Sequence, residues 1–441
     1  MTARRDDQRA RILDAAELVV FEQGYLNAKI GDIAGRAGVS RATFYELFDS
    51  KETCFLTAYD RGAELARDLL ARAVAAGRGR YAARAAVTAL VELAGEHPHV
   101  FVCLTHDATV AGSAALSRRE RLLEELGELV AHAQAGDPRG RAPDMPPRVL
   151  LGAAARTAGM VIRQGNGDLG PLTERLLAWI ELYEVPIRDH GWEDTRLASS
   201  PPPAGGEHAP VSPFPAADVP RGRHRLPAAV VRQAQRERIL RGTAEAVSAQ
   251  GYEHTSVADI VTASGVSRDA FYDHMASKRD AVEQATTLFF ERSVATFAGA
   301  FFAAGGLWAE RVWTAGAALG DHLLTASDLT RLALIDAYAP DAQASRRADE
   351  LLLGLAAFIE HCAAAPDAPL PPGAAAATLA ALVEAVLALL ATDRVESIPR
   401  LLPFATYMVL TPFLGAGPGD AFVQDRLAAS VPGLGRARRT D

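Results

Sequence analysis

The chain has 441 residues, of which 49% are hydrophobic and 23% charged, and its formal net charge is −8. That length exceeds what one hydrophobic core usually organises, so two or more domains are predicted, and the composition excludes a chain disordered throughout. The net acidity excludes a uniformly basic nucleic-acid binder and confines any such binding to local surfaces.

From the N-terminus, Ile12, Leu13, Ala16, Val19 and Val20 recur at helical spacing and predict a first helix that stops at Gly24, with Tyr25 covering its end. A short second helix is predicted over residues 31–37, then Gly38-Val39-Ser40, then a third helix over 41–48. Gly38 supplies the positive φ of a sharp turn, Val39 plugs the angle between the helices, and Ser40 caps free N–H groups of the third. Two helices joined so tightly form a helix-turn-helix, whose second helix can lie in a DNA major groove. Phe44 and Phe48, four apart, are expected to face the core. Arg41, Ala42, Thr43 and Tyr45 are then left toward the outside. Arg41 and the hydroxyls of Thr43 and Tyr45 suit phosphate oxygens, as does Lys51 at the start of the next helix, while Ala42 permits close approach to a thymine methyl.

Residues 56–190 read as a helical body without period-two strand runs. Between 116 and 130, for example, Leu122, Leu126, Leu129 and Val130 share one face. Within this body 165–170 spells G-x-G-x-x-G, but no strand precedes it and it reads as a loop between helices. His97, His99, His106 and Asp107 lie close together, a pattern read as capping or polar packing at a helix start in preference to a metal site. The segment 191–227 is rich in Pro and Gly and ends in Arg221, Arg223 and Arg225. It reads as a linker with a basic arm suited to a minor groove.

The sequence then repeats itself. Residues 8–51 overlay 235–278 without a gap at an offset of 227, with about 19 of 44 positions identical. In the second copy the outward positions are Arg268, Asp269, Tyr272, His274 and Lys278. Ala42 is replaced by Asp269, Thr43 by Ala270 and Phe48 by Met275, while Lys29 is replaced by Ser256. An aspartate is repelled by phosphates yet can accept from a cytosine amino group. Residues 221–280 carry ten Lys and Arg against seven Asp and Glu, whereas 1–51 balance at eight against eight.

The set G-V-S-x-x-T-F-Y-x-x-F-x-S-K after I-A-x-x-A-G resembles the DNA-binding domain of the TetR/AcrR family of regulators. The resemblance implies an all-α chain of two tandem helix-turn-helix domains, each followed by a helical ligand-binding and dimerisation bundle. The expected order is a first head over 1–55, a first body over 56–190, the linker over 191–227, a second head over 228–282, a second body over 283–428 and a tail over 429–441. It implies a ligand-responsive repressor acting on a double-stranded DNA operator, as a pseudo-dimer within one chain or as a homodimer of chains. A small, mostly apolar effector is expected, with Phe101, Trp179, Tyr183, Phe289, Phe290, Phe301, Phe302, Trp308, Trp313, Phe358, Phe404 and Tyr407 as candidate pocket walls. The alternative is a sensing or protein-interaction module whose heads only pack.

No catalytic motif in a credible context appears, so an enzyme is not expected, and neither a cofactor nor a metal is called for. Three cysteines without C-x-x-C spacing fit a reducing cytoplasm. No signal-type N-terminus is read, and the longest apolar stretch is taken as 401–414, too short and Pro-broken to span a bilayer.

Overall fold

A computed structural model of the chain describes residues 2–77, 79–137, 140–165, 168–189, 191–192, 227–362 and 370–430. In the first half the helices are α1 (Thr2–Gln23), α2 (Ile30–Arg36), α3 (Arg41–Leu47), α4 (Lys51–Gly77), α5 (Ala82–Glu96), α6 (Pro98–Val102), α7 (Ala108–Val110), α8 (Ser113–Ala135), α9 (Pro147–Arg163) and α10 (Gly170–Glu181). In the second half they are α11 (Ala228–His254), α12 (Val257–Ser264), α13 (Arg268–His274), α14 (Lys278–Ala303), α15 (Trp308–Thr325), α16 (Ser327–Leu334), α17 (Ala342–Cys362), α18 (Ala374–Ala391), α19 (Leu402–Leu414) and α20 (Ala416–Ser430). The fold is all-α, as expected. A two-stranded ladder, Arg141–Pro143 against Glu184–Pro186, is the one sheet among the described residues. The linker with Arg221, Arg223 and Arg225, and most of the tail, lie outside them.

The chain divides into two compact units. One contains Met1–Asp194, Asp341–Arg346 and Asp367–Ala391; the other contains Thr195–Pro340, Arg347–Pro366 and Thr392–Asp441. The sequence boundary of 283–428 for the second body is therefore crossed. The helix α18, from the second half of the sequence, is built into the first unit.

In the first unit α4, α5, α8 and α9 pack side by side around Leu70, Val87, Leu90, Leu122, Leu126, Val130 and Leu151, all buried. Proline opens both α6 and α9, where the missing N–H costs nothing and the fixed φ suits a helix start. Between α6 and α7 the chain widens into a π turn over Cys103–Asp107. Of the stretch 165–170, residues 166 and 167 lie outside the described residues; Gly165, at φ +73, follows the end of α9 and Gly170 begins α10.

The helix α18 packs along α9 and touches α8 and α10. Its residues are apolar except Thr378 and Glu384, so it exceeds 401–414 as the longest apolar run and corrects that reading. By length and composition it is apolar enough to cross a membrane, yet 72% of it is buried in the protein. Its two polar side chains are both satisfied inside the first unit. Trp179 Nε1 donates to Thr378 Oγ1 at 3.0 Å, and the Tyr183 hydroxyl bonds the same oxygen at 3.0 Å. Glu384 accepts from Arg119 Nη2 at 2.6 Å and from Arg156 Nε at 2.7 Å. Opposite it stands Gly152, where a Cβ would lie 2.9 Å from Glu384 Cγ; only glycine leaves room for the carboxylate's stem. Burial alone raises the Glu384 carboxyl, but Arg119 and Arg156 outweigh that and hold it below the ordinary range.

In the second unit α14 and α15 form an antiparallel pair, and α19 lies against α15. Trp308 meets Phe413 edge-on at 5.2 Å, and Phe289 stacks on His322 at 6.5 Å. Most of the candidate pocket aromatics prove to be core: Phe101, Trp179, Tyr183, Phe404 and Tyr407 are fully buried. Phe302 is a correction, because it is 69% exposed at the end of α14. The side chain of Phe358 lies outside the described residues.

Removing one partner from a buried ion pair leaves an uncompensated charge, at a cost of about 3–5 kcal/mol. Glu384→Ala takes a carboxylate from two guanidinium groups at once, while Arg119 keeps Glu120 at 2.6 Å, so a loss at the lower end of that range is expected. Urea unfolding of the full chain, followed by Trp179 fluorescence, measures it.

Candidate nucleic-acid interface

In the first head α1 ends at Gly24, whose φ of +78 turns the chain toward Tyr25. The stripe of Ile12, Leu13, Ala16, Val19 and Val20 is buried, as its spacing predicts. Between α2 and α3, Gly38 has φ +66 and Val39 N–H donates to Ala34 O at 3.0 Å, closing the sharp turn. Ser40 caps α3 by accepting from Thr43 N–H at 3.0 Å. Phe44 and Phe48 are buried, with ring centroids 5.7 Å apart, and anchor α3. Arg41, Ala42 and Tyr45 face outward, Tyr45 being 55% exposed. Thr43 is half-buried and its hydroxyl lies 3.0 Å from Ser40 Oγ, so part of its bonding capacity is spent on the cap.

The second head repeats this geometry. Gly265 has φ +61, Ser267 caps α13 by accepting from Ala270 N–H at 3.1 Å, and Phe271 and Met275 are buried. Arg268, Asp269 and Tyr272 face outward, with Tyr272 48% exposed. His274 is half-buried, and its Nε2 lies 3.4 Å from Gln235 Oε1 on α11. α11 continues past Gly251, but the φ of +79 there marks the same corner that ends α1.

Two local differences separate the heads. A Cβ at Gly31 would collide with the Arg41 guanidinium, which lies along α2; position 258 is alanine in the second head, and Arg268 instead lies over its own neighbour's ring, 5.8 Å from the Tyr272 centroid. The second difference is capping. Ser256 and Asp259 form a reciprocal capping box at the start of α12, Ser256 N–H donating to Asp259 Oδ2 at 2.8 Å. At the start of α2 the same position is Lys29, which makes no side-chain cap.

The two lysines assigned to the DNA backbone are half-buried against the tyrosine corners. Lys51 Nζ donates to Tyr25 O at 3.0 Å and sits 4.3 Å from the Tyr25 ring centroid. Lys278 does the same with Tyr252 O at 2.7 Å and its ring at 4.1 Å. Each ammonium thus clips the Gly-Tyr corner to the helix that leads into the body.

Sequence reasoning missed how the heads are held from below. Arg61 of α4 pairs with Glu17 at 2.7 Å and Asp14 at 2.8 Å, fixing α1. At the equivalent positions the second copy has Leu288, Ala244 and Arg241, and α11 is tied to α14 by Arg236, which donates through Nε and Nη2 to Gln284 Oε1 at 3.2 and 3.0 Å. A shared device is a buried aspartate. Asp107, at the end of the π turn, accepts from the Tyr25 backbone N–H, and Asp336, on the short turn after α16, accepts from that of Tyr252. In both the Oδ2 atom is buried with no partner among the described residues. Burial pushes Asp107 up to about 8 and Asp336 up to about 7. Neither lies within the 44-residue repeat, and 107 + 227 is 334 and not 336, so an ungapped overlay cannot pair them.

The histidine cluster resolves into separate packing contacts. His99 Nε2 lies 3.8 Å from Glu17, and His106 Nε2 lies 3.3 Å from Ser345 Oγ. Among the described residues no group of three His, Cys, Asp or Glu side chains could hold a metal.

This twice-built head matches the description "Bacterial regulatory proteins, tetR family" over residues 12–58 and again over 239–285. The chain thus carries two segments that match this family's N-terminal domain. Over 57 residues, 13% of this chain, it is 40% identical to the HTH-type transcriptional activator FasR of Mycolicibacterium smegmatis. That match spans 26% of FasR's own length. A crystal structure of a TetR family transcription regulator from Marinobacter aquaeolei is similar at 23% identity with a TM-score of 0.33, covering 40% of this chain and 94% of that one.

Two predictions concern these heads. Lys29→Ser creates an N-cap three residues before Asp32, completing in the first head the box seen in the second, and a gain of about 1 kcal/mol is expected. Chemical denaturation of the full chain reads it. The second concerns Asp107: its native carboxyl keeps a proton that the unfolded chain releases near pH 4, so this residue's contribution to stability falls as pH rises from about 4 to about 8 and is flat above. Asp107→Asn is therefore expected to gain on the parent protein between pH 5 and pH 8, as shown by the difference in urea midpoints.

Proposed function

We propose that the chain is a sequence-specific, DNA-binding transcriptional regulator in which α3 and α13 each enter a major groove. The observation that carries this is the exposed outer face of each helix, held by a buried aromatic or methionine pair and a serine cap. Arg41, Ala42 and Tyr45 form the first reading face, and Arg268, Asp269 and Tyr272 the second. Thr43 and His274 contribute from half-buried positions. Lys51 and Lys278 act mainly by holding each head's corner in place. Because the two faces differ in an acidic residue and in arginine pose, an operator with two unlike half-sites is expected.

The chain supplies both halves of a dimer itself. α9 and α18 start 227 residues apart, at Pro147 and Ala374, which is the repeat offset, so the pairing of α9 with α18 joins equivalent helices. Contact between equivalent helices is the mark of an isologous interface. In this reading one chain is the working unit, and light scattering at working concentration should give the mass of a single chain.

A small-molecule effector is proposed for the bodies. The cavity in the first unit, lined by Leu90, Phe101, Leu104, Leu122, Leu126 and Ala155 among others, is about 30 Å³, room for about one water. An effector of ordinary size therefore has to select an opened bundle and thereby shift the DNA-binding equilibrium. The proposal covers regulation in either direction, repression or activation.

Titration of promoter DNA with the full chain tests the reading. Salt-sensitive, sequence-selective binding is expected, and no binding at low salt would overturn it. Tyr45→Ala with Arg41→Ala should weaken binding at least tenfold at one half-site of an asymmetric operator and leave the other half-site's footprint intact.

A further inference from the structure

In the first unit the seam between α9 and α18 and the corner of the head are each joined by polar contacts to the same π turn. Glu384 of α18 accepts from Arg119 Nη2 at 2.6 Å. The same guanidinium donates through Nε to Thr105 O at 3.3 Å. Thr105 lies inside the π turn, whose wide ring leaves carbonyls poorly matched to the helix ladder, so an outside donor has a structural task there. Two residues further on, Asp107 accepts from the Tyr25 N–H at the corner that ends α1. Every member is buried or half-buried: Arg119 and Glu384 are each 4% exposed and Asp107 is 2% exposed. Around Asp107 the charged and titratable groups are Arg163 of α9, Cys103 and His106 of the same turn, and, through α1 and α4, Glu17 and Arg61.

We propose that Arg119, Thr105 and Asp107 form a relay by which the state of the α9–α18 seam sets how firmly the first head is held. Arg119 and Asp107 are positioning residues in this scheme. A loosened seam leaves the Arg119 guanidinium to Glu120, which holds Nη1 at 2.6 Å; as it shifts, the π turn loses its outside donor, and the Asp107 carboxyl at its end no longer fixes the Tyr25 corner. The apolar cavity abuts the same turn through Phe101, Leu104 and Thr105, and Arg119 is in its wall. A ligand that opened this cavity would act on the relay directly. The second head has its own latch, Asp336 on Tyr252 N–H, but at Arg61's place it carries Leu288, so the device is asymmetric between the copies. The step from head mobility to operator affinity rests on the DNA-binding reading; the mobility itself does not.

Hydrogen exchange of the full chain, followed by mass spectrometry, tests the relay without DNA. Arg119→Met keeps the length of the stem and removes all three donors, those to Thr105, Glu120 and Glu384. It is expected to raise exchange at least tenfold over residues 20–30, while residues 247–257 and the core of α5 stay at the parent rate. Asp107→Ala should do the same, and Asp107→Asn, whose amide oxygen still accepts, should restore most of the protection. Asp336→Ala should raise exchange over 247–257 and leave 20–30 unchanged. The relay is overturned if Arg119→Met leaves 20–30 at the parent rate, or if it raises exchange equally over 20–30, 247–257 and α5. In a parallel arm, operator titration of Arg119→Met should show weakened protection of the first half-site alone. If the exchange pattern holds while the parent chain binds no DNA, the relay stands and the DNA-binding reading falls.

Discussion

A single carboxylate in an apolar helix governs much of this chain's architecture. Glu384 stands in the middle of α18, where desolvation is severe, and it is tolerable only because Arg119 and Arg156 both reach it. Neither guanidinium belongs to the second half of the sequence. The carboxylate therefore has one good seat, inside the first unit, with Gly152 leaving the space for it. Hydrophobic burial attracts α18 to α9 without fixing its rotation or register; the two ion pairs and the Thr378 contacts to Trp179 and Tyr183 do that.

From this seating follows a division of labour between the copies. Local chemistry builds each head almost independently: a positive-φ glycine, a serine cap, a buried pair on the recognition helix and a lysine over the tyrosine corner recur in both. What differs is attachment. The first head is bound to its body by Arg61, Glu17 and Asp14, and its corner bonds the π turn that Arg119 links to Glu384. Apolar contacts, one aspartate and the Arg236 hydrogen bonds to Gln284 hold the second, without an ion pair at Arg61's place. Ion pairs and hydrogen bonds are directional, so a small shift beneath the first head is felt more sharply than one beneath an apolar contact, which tolerates sliding.

The helix-turn-helix elements were legible from spacing because their determinants are local. Gly38 and Gly265 announce turns, Ser40 and Ser267 announce helix starts, and Phe44 with Phe48 announce the buried face; all lie within ten residues of what they control. Reading Lys51 and Lys278 as phosphate contacts followed from their charge and position, and their engagement with Tyr25 and Tyr252 became visible only when the corner was folded around them. The same is true of Thr43, part of whose hydroxyl is used by Ser40.

By itself the sequence determined the all-α class, the tandem repeat, the two heads and the unlike outward residues of their third helices, because periodicity, turn chemistry and capping act over short separations. It did not determine which partner each buried charge would find. Arg119 and Glu384 are 265 residues apart, Trp179 and Thr378 are 199 apart, and Asp107 reaches back to Tyr25 across five helices. Only the tertiary structure decided that α18 would fill the first unit, since long-range pairing depends on the shape and charge of a seam that no local pattern encodes.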